Sequence, residues 1–148
     1  MKWPPHITVA TVVEDQGRFL FVEELSDQGM VLNQPAGHLE PCETLVQAAL
    51  RETLEESCWE VDIKALVGIY IYHAAANQTI YHRYCFSAQP LRLRDDLTRD
   101  SDISGTCWLT LKELSEYSVP TRSPLVRTCL DDYLAGKRYP LELIREHG

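Results

Sequence analysis

Three carboxylates crowd into the run Arg51-Glu52-Thr53-Leu54-Glu55-Glu56. On a helix that advances about 100° per residue, Glu52 and Glu56 fall within about 40° of each other, with Glu55 on the flank. Anions gathered on one helix side repel, so without a cation they destabilise the helix that carries them. Hard oxygen ligands at this spacing suit Mg²⁺, with Mn²⁺ a second fit. A magnesium shell commonly joins carboxylates to the oxygens of a substrate phosphate. Taken alone, the trio equally suits a solvated acidic face. The residues upstream shift the balance, because Gly37 stands six positions before Glu43, which stands eight before Arg51. A glycine-containing loop that opens onto a helix lets backbone carbonyls and amides approach a metal or a phosphate.

The elements that must hold these groups follow from local composition. Residues 43–57 contain no Gly or Pro and are rich in helix formers. They predict a helix, with Pro41 and the acidic Glu40 and Glu43 at its start. Residues 7–13 and 18–24 are β-branched and aromatic and predict strands around a hairpin turn at Glu14-Asp15-Gln16-Gly17. A short strand over 30–33 leads into Gln34-Pro35-Ala36-Gly37, which reads as loop. Longer strands are expected near 61–72 and 79–88, joined by the polar stretch 73–78. A charged loop over 90–105, a strand over 106–109, and helices near 111–117 and 123–135 complete the chain. Strands and helices interleave without repeats or a linker, which predicts one domain over residues 1–148, of α/β class with a mixed sheet.

Composition limits the partners. The chain is 45% hydrophobic and 24% charged, an ordinary globular mixture. A formal net charge of −8 argues against a nucleic-acid groove, which needs clustered Lys and Arg. It leaves room for a small anionic substrate, since a bound divalent ion reverses the local field. No apolar run reaches the roughly 18 residues of a membrane span. The opening Met-Lys-Trp-Pro-Pro-His lacks the apolar core of a signal peptide, so the expectation is a cytoplasmic protein without a membrane partner. Cys42, Cys58, Cys85, Cys107 and Cys129 form no Cys-x-x-Cys pair, and most are expected to be small buried hydrophobes. The oligomeric expectation is a monomer or a small homo-oligomer.

The stretch GHLEPCETLVQAALRETLEESCW resembles the box of the Nudix family, G-x5-E-x7-R-E-U-x-E-E-x-G-U with U aliphatic. Gly37, Glu43, Arg51, Glu52, Glu55 and Glu56 all fall in register over 23 positions. Thr53, Cys58 and Trp59 depart from the pattern at positions that concern packing and the helix exit. If Cys58 adopts the left-handed conformation of the usual glycine, it does so at a cost of roughly 1 kcal/mol. The resemblance implies a mixed β-sheet sandwiched between helices. It also makes Glu52 and Glu56 the principal metal ligands, joined by Glu55 and the Gly37 carbonyl, with Glu43 and Arg51 paired as structural support. Further patches, Leu32 through Glu40, Asp100-Ser101-Asp102-Ile103, Arg122-Ser123-Pro124-Leu125-Val126 and Arg138-Tyr139-Pro140-Leu141-Glu142, are similar to the NudJ phosphatase subgroup.

That resemblance implies a hydrolase of phosphoanhydride bonds. Its implied substrates are nucleoside di- and triphosphates and the pyrophosphates of thiamine and its hydroxymethylpyrimidine precursor. A pyrophosphohydrolase of dinucleotides or nucleotide sugars is the other enzymatic reading, and a nucleotide-sensing module the non-catalytic one. The full set of box carboxylates favours an enzyme. Hydrolysis needs a proton acceptor, which some relatives place on a loop shortly before a tryptophan. Asp100 and Asp102 precede Trp108, and Asp102, six positions ahead, is the candidate base, with Glu55 or Glu56 as rival and simple turn capping as the alternative. Arg83 shares strand parity with Tyr81 and Cys85, and if buried it needs an anion, either a substrate phosphate or a nearby Glu. Asn33, His38, Tyr70, Tyr72 and His73 are candidates to line a pocket for a flat ring, although strand tyrosines also serve as core packing. Arg122, just before the last helix, is a candidate for the phosphates.

Overall fold

The β-branched runs of the first 40 residues form a hairpin and then two short strands. The computed structural model describes residues 1–148. β1 (Lys2–Asp15) and β2 (Arg18–Ser26) meet at Gln16 and Gly17, which both take positive φ, 50° and 79°. Two successive positive φ values match the right-handed twist of a tight hairpin, as the sequence predicts. β3 (Gly29–Asn33) pairs antiparallel with one edge of β2, and β7 (Ile103–Leu109) pairs antiparallel with the other. β1 then runs parallel to β6 (Thr79–Leu93), which pairs antiparallel with β5 (Trp59–Ala74). The result is a mixed seven-stranded sheet.

Alternation along β1 divides the core between two faces. Val9 and Val13 face helix α1 (Leu45–Ser57) and pack with Leu45, Ala48 and Ala49. Ala10 and Val12 face the opposite way. They join Leu114 of α2 (Leu111–Ser115) and Val126, Cys129 and Leu130 of α3 (Pro124–Leu134). The sheet is therefore sandwiched between helices. No helix is long and apolar enough to cross a membrane. All five cysteines are free, and Cys58, Cys85 and Cys129 are buried.

Several boundaries differ from the sequence expectations, each for a local reason. α1 begins at Leu45 rather than at residue 43, because Thr44 caps it. The Thr44 hydroxyl accepts from the Gln47 N–H while the Gln47 side chain accepts from the Thr44 N–H. Glu43 thus lies outside the helix. Ala36–His38 is not loop but a short strand, β4, antiparallel to β1. β6 runs on past Pro90 to Leu93, and a register shift opposite Pro90, between Glu60 and Val61, absorbs the missing donor. The connecting loop shrinks accordingly to residues 94–102. Near the C-terminus, Leu66 and Tyr139 exchange backbone hydrogen bonds, and a 3₁₀ turn follows at Leu141–Leu143.

Candidate active site

Arg51 organises the acidic side of α1. Its Nε and one terminal nitrogen donate to both oxygens of Glu43, at 2.9 and 2.7 Å. The other terminal nitrogen donates to Glu52 at 2.8 Å and Glu55 at 3.1 Å, and a further bond reaches the His38 carbonyl at 3.0 Å. The guanidinium holds the Glu43 carboxyl below its ordinary range. Burial outweighs that same influence at Glu52 and raises its carboxyl. One cation thereby ties the loop before the helix to two of the three crowded carboxylates.

Gly37 is fixed by its neighbour. A Cβ at this position would stand 2.1 Å from the carboxylate carbon of Glu52, so only glycine lets that carboxylate lie against β4. Glu56 is deeper, 8% exposed, and accepts from the Ala36 N–H at 2.9 Å. Burial pushes its carboxyl up to about 8, with the nearby charges of Glu24, Glu52 and Asp100 adding to the effect.

The loop aspartates part company. Oxygens of Glu52, Glu55 and Asp100 lie within 4.8 Å of one another. The Asp100 N–H donates to the Glu55 carbonyl at the end of α1, which plants the residue beside the carboxylates. Asp102 is exposed, and its contribution is a backbone carbonyl that accepts from the Leu25 N–H. Asp100, not Asp102, is therefore the aspartate that joins the acidic group. Three carboxylates converging this closely, with Glu56 forced toward its neutral form, fit a divalent cation on chemistry alone.

A cavity of about 640 Å³ opens beside this cluster, and Glu52 and Glu56 line it together with Gly37 and His38. Arg83 lines it too, only 5% exposed. Its acceptors are the Asn33 side-chain oxygen at 3.0 Å, the Gln34 side-chain oxygen at 3.4 Å and the Cys129 sulfur at 3.9 Å. No carboxylate answers its charge, so of the two alternatives, a substrate phosphate or a nearby Glu, the fold does not provide the Glu. Arg122 reaches the cavity and donates to Glu24 at 3.0 Å, and Asn33 donates to the same carboxylate at 3.1 Å. Glu24 escaped the sequence reading because an acid at a strand end looks like a solvated one.

The ring candidates divide. Tyr72 lines the cavity, whereas Tyr70 turns beneath α3 and donates to Asp132 at 2.7 Å. His73 is exposed with Ile69 and Ile71 on the other face of β5. Tyr81 lines the cavity, and His6 stands behind it. The His6 ring meets Tyr81 edge-on at 5.6 Å and His38 at 5.1 Å. Burial lowers the His38 imidazole, and the charges of His6 and Arg122 lower it further.

The family model for the NUDIX domain matches residues 3–129. The chain belongs to the Nudix family. It is a Nudix hydrolase, acting on phosphoanhydrides. It is 39% identical over 140 residues to phosphatase NudJ of Escherichia coli (strain K12), covering 95% of this chain and 90% of that protein. The structure superposes on a NUDIX hydrolase from Nitrosomonas europaea with a TM-score of 0.93 at 41% identity, covering 97% of this chain and 98% of that one. A MutT protein from Methanosarcina mazei Go1, at 15% identity, shares the fold with a TM-score of 0.72 over 93% of this chain and 99% of its own.

The three departures from the Nudix box are structural. Thr53 is buried against β1, where its hydroxyl meets that of Thr11 at 2.9 Å and donates to the Ala49 carbonyl. Cys58 ends the helix in the left-handed conformation, φ 63° and ψ 13°, and its thiol donates to the Leu97 carbonyl at 3.5 Å. Trp59 packs edge-on against Trp108 at 5.6 Å.

Proposed function

We propose that this Nudix hydrolase is a Mg²⁺-dependent phosphatase of organic di- and triphosphates. Its substrates in this reading are nucleoside di- and triphosphates and the pyrophosphates of thiamine or its hydroxymethylpyrimidine precursor. The carrying observation is the double membership of Glu52. It belongs to the carboxylate group with Glu55 and Asp100, and it lines the cavity that Arg83 and Arg122 also line. Metal ligands and phosphate-binding cations thus face one space. The similarity to phosphatase NudJ over nearly the whole chain supports the same choice.

Glu52, Glu55, Glu56 and the Gly37 carbonyl, with Asp100 beside them, are the groups that would hold the cation. Mg²⁺ there would supply Lewis-acid polarisation of a phosphoryl oxygen and acidify a bound water. Arg83 and Arg122 neutralise and orient the anhydride oxygens. Glu56, held by the Ala36 N–H, is the proton acceptor of this reading, with Glu55 its rival. Without metal, burial raises the Glu56 carboxyl to about 8, and a divalent cation beside it would lower that value and leave the carboxylate free to accept a proton.

Incubation with Mg²⁺ and a panel of phosphoanhydrides, with products separated by chromatography, tests the proposal. Release of inorganic phosphate from nucleoside diphosphates or thiamine pyrophosphate is expected, lost in excess chelator. Cleavage confined to dinucleotides or nucleotide sugars would move the assignment to a pyrophosphohydrolase. Binding without turnover would move it to a sensing module.

A further inference from the structure

Two arginines line the cavity, and one carboxylate holds both. Glu24 Oε1 accepts from Arg122 at 3.0 Å and from the Asn33 amide nitrogen at 3.1 Å. The Asn33 side-chain oxygen in turn accepts from Arg83 at 3.0 Å. Arg122, Glu24, Asn33 and Arg83 therefore form one string of hydrogen bonds, and all four line the cavity. The string has a chemical direction. A carboxylate only accepts and a guanidinium only donates, so the amide between them stands one way round. Glu24 thus aims Arg122 directly, and Arg83 through the orientation it imposes on Asn33.

This string of bonds does little for the fold itself. The Arg122 backbone is anchored independently: its N–H donates to the Leu32 carbonyl at 2.8 Å, and the Leu32 N–H donates to the Pro120 carbonyl at 2.8 Å. An ion pair with a half-exposed partner adds little stability, and the Arg122 side chain is 47% exposed. The Glu24 side chain is only 13% exposed, so its carboxylate gives up hydration to stand there. The strand register marks the same spot. Pairing between β2 and β7 slips between Glu23 and Glu24, and such a bulge re-aims side chains beside a site. Glu23 accepts from the Tyr117 hydroxyl, while Glu24 turns to the cavity.

We infer that Glu24 is a positioning residue for phosphate recognition, setting the direction of Arg122 and, through Asn33, of Arg83. The inference rests on the phosphatase reading above and deepens it. Glu24 acts through the two guanidinium groups and lies outside the carboxylate group of Glu52, Glu55 and Asp100. Its charge matches that of Arg122 and leaves that of Arg83 for the substrate.

Steady-state kinetics with a nucleoside diphosphate and Mg²⁺ test the assignment. In Glu24→Ala the arginines lose their common acceptor, and kcat/KM should fall by about tenfold or more, chiefly through KM. Local misfolding would instead lower the active fraction and leave KM where it was. Glu24→Gln should recover most of the loss, since both bonds end on Oε1 and an amide keeps that oxygen. In an Arg122→Ala background, Glu24→Ala should cost clearly less, because one of its two targets is gone. An unchanged KM in Glu24→Ala, a Glu24→Gln as impaired as Glu24→Ala, or an equal cost in the Arg122→Ala background overturns the inference. Should Glu24→Ala fail to fold, Glu24→Asp, which draws the carboxylate back by one methylene, should raise KM, and an unchanged KM there overturns it equally. Should the wild type release no phosphate from any diphosphate, the proposed function falls. Calorimetric titration with a nucleoside diphosphate in excess chelator then decides. Binding that weakens in Glu24→Ala and returns in Glu24→Gln upholds the inference, and binding absent from the wild type or indifferent to the substitution overturns it.

Discussion

Gly37→Ala separates the catalytic geometry from the fold. The added methyl would lie 2.1 Å from the Glu52 carboxylate carbon and 2.2 and 2.4 Å from its oxygens. Ordinary contact starts at 3.4 Å, so the carboxylate must retreat by about 1.3 Å, and a misplacement of that order costs about 10²-fold in rate. Stability should change far less. The obstacle is the far end of a flexible side chain, Gly37 has no positive φ, and alanine also stiffens the unfolded chain by about 0.4–1 kcal/mol. Arg51 loses a good bond to Glu52 but keeps its two bonds to Glu43. Urea unfolding should therefore stay within about 1 kcal/mol of wild type while kcat on a nucleoside diphosphate falls about 10²-fold. Wild-type turnover in Gly37→Ala would show that Glu52 works from another position. A stability loss above about 2 kcal/mol would show that the glycine serves the fold instead.

In metal-free protein Glu56 takes up a proton near pH 8, whereas its ordinary carboxyl value is 4.5. The native state binds the extra proton in between, so stability should be full below about 4.5 and decline as pH climbs to about 8, by a few kcal/mol. Glu56→Gln, which keeps the acceptor for the Ala36 N–H, should flatten that decline in chelator, and a wild type that gains stability over this range contradicts the assignment. Asp100→Asn should weaken Mg²⁺-induced thermal stabilisation and lower turnover, while Asp102→Asn should leave both near wild type; the reverse order would restore Asp102 as the working aspartate. Cys58→Gly should be close to neutral in urea, because relief of roughly 1 kcal/mol of left-handed strain offsets the lost sulfur contact, and Cys58→Ala should cost more since it keeps the strain and loses the thiol.

The Nudix box was legible because a helix converts sequence spacing directly into geometry. The intervals between Arg51, Glu52, Glu55 and Glu56 set their shared side of α1, whereas Gly37 and Glu43 lie outside the helix and their place beside it was implied by the resemblance to the Nudix box. The hairpin at Gln16-Gly17 was readable for a similar reason, since two residues decide its twist. Elements fixed by distant partners were not. β4 exists because β1 lies beside it, which nothing in Ala36-Gly37-His38 announces. Thr44 looked like an ordinary helix residue until Gln47 closed the box around it. Pro90 reads as an end of strand, yet a register shift across β5 accommodates it. The offset from Trp108 pointed to Asp102, but a backbone bond to Glu55, which no sequence spacing shows, plants Asp100 beside the carboxylates instead. The contact of His6 with Tyr81 depends on register between β1 and β6, so parity within β6 gave only the shared face of Tyr81 and Arg83.

Arg51 bears on how the proposed divalent ion would be acquired. Its guanidinium already sits on oxygens of Glu52 and Glu55, two of the groups that would hold the ion. It acts as a resident counter-ion, so the helix is not left as an array of bare negative charges before metal arrives. Loading would then be an exchange: an incoming ion would displace part of Arg51 from Glu52 and Glu55 while Glu43 kept hold of the rest. Affinity for the metal would be measured against that occupant, and the chain could fold first and be charged with metal afterwards.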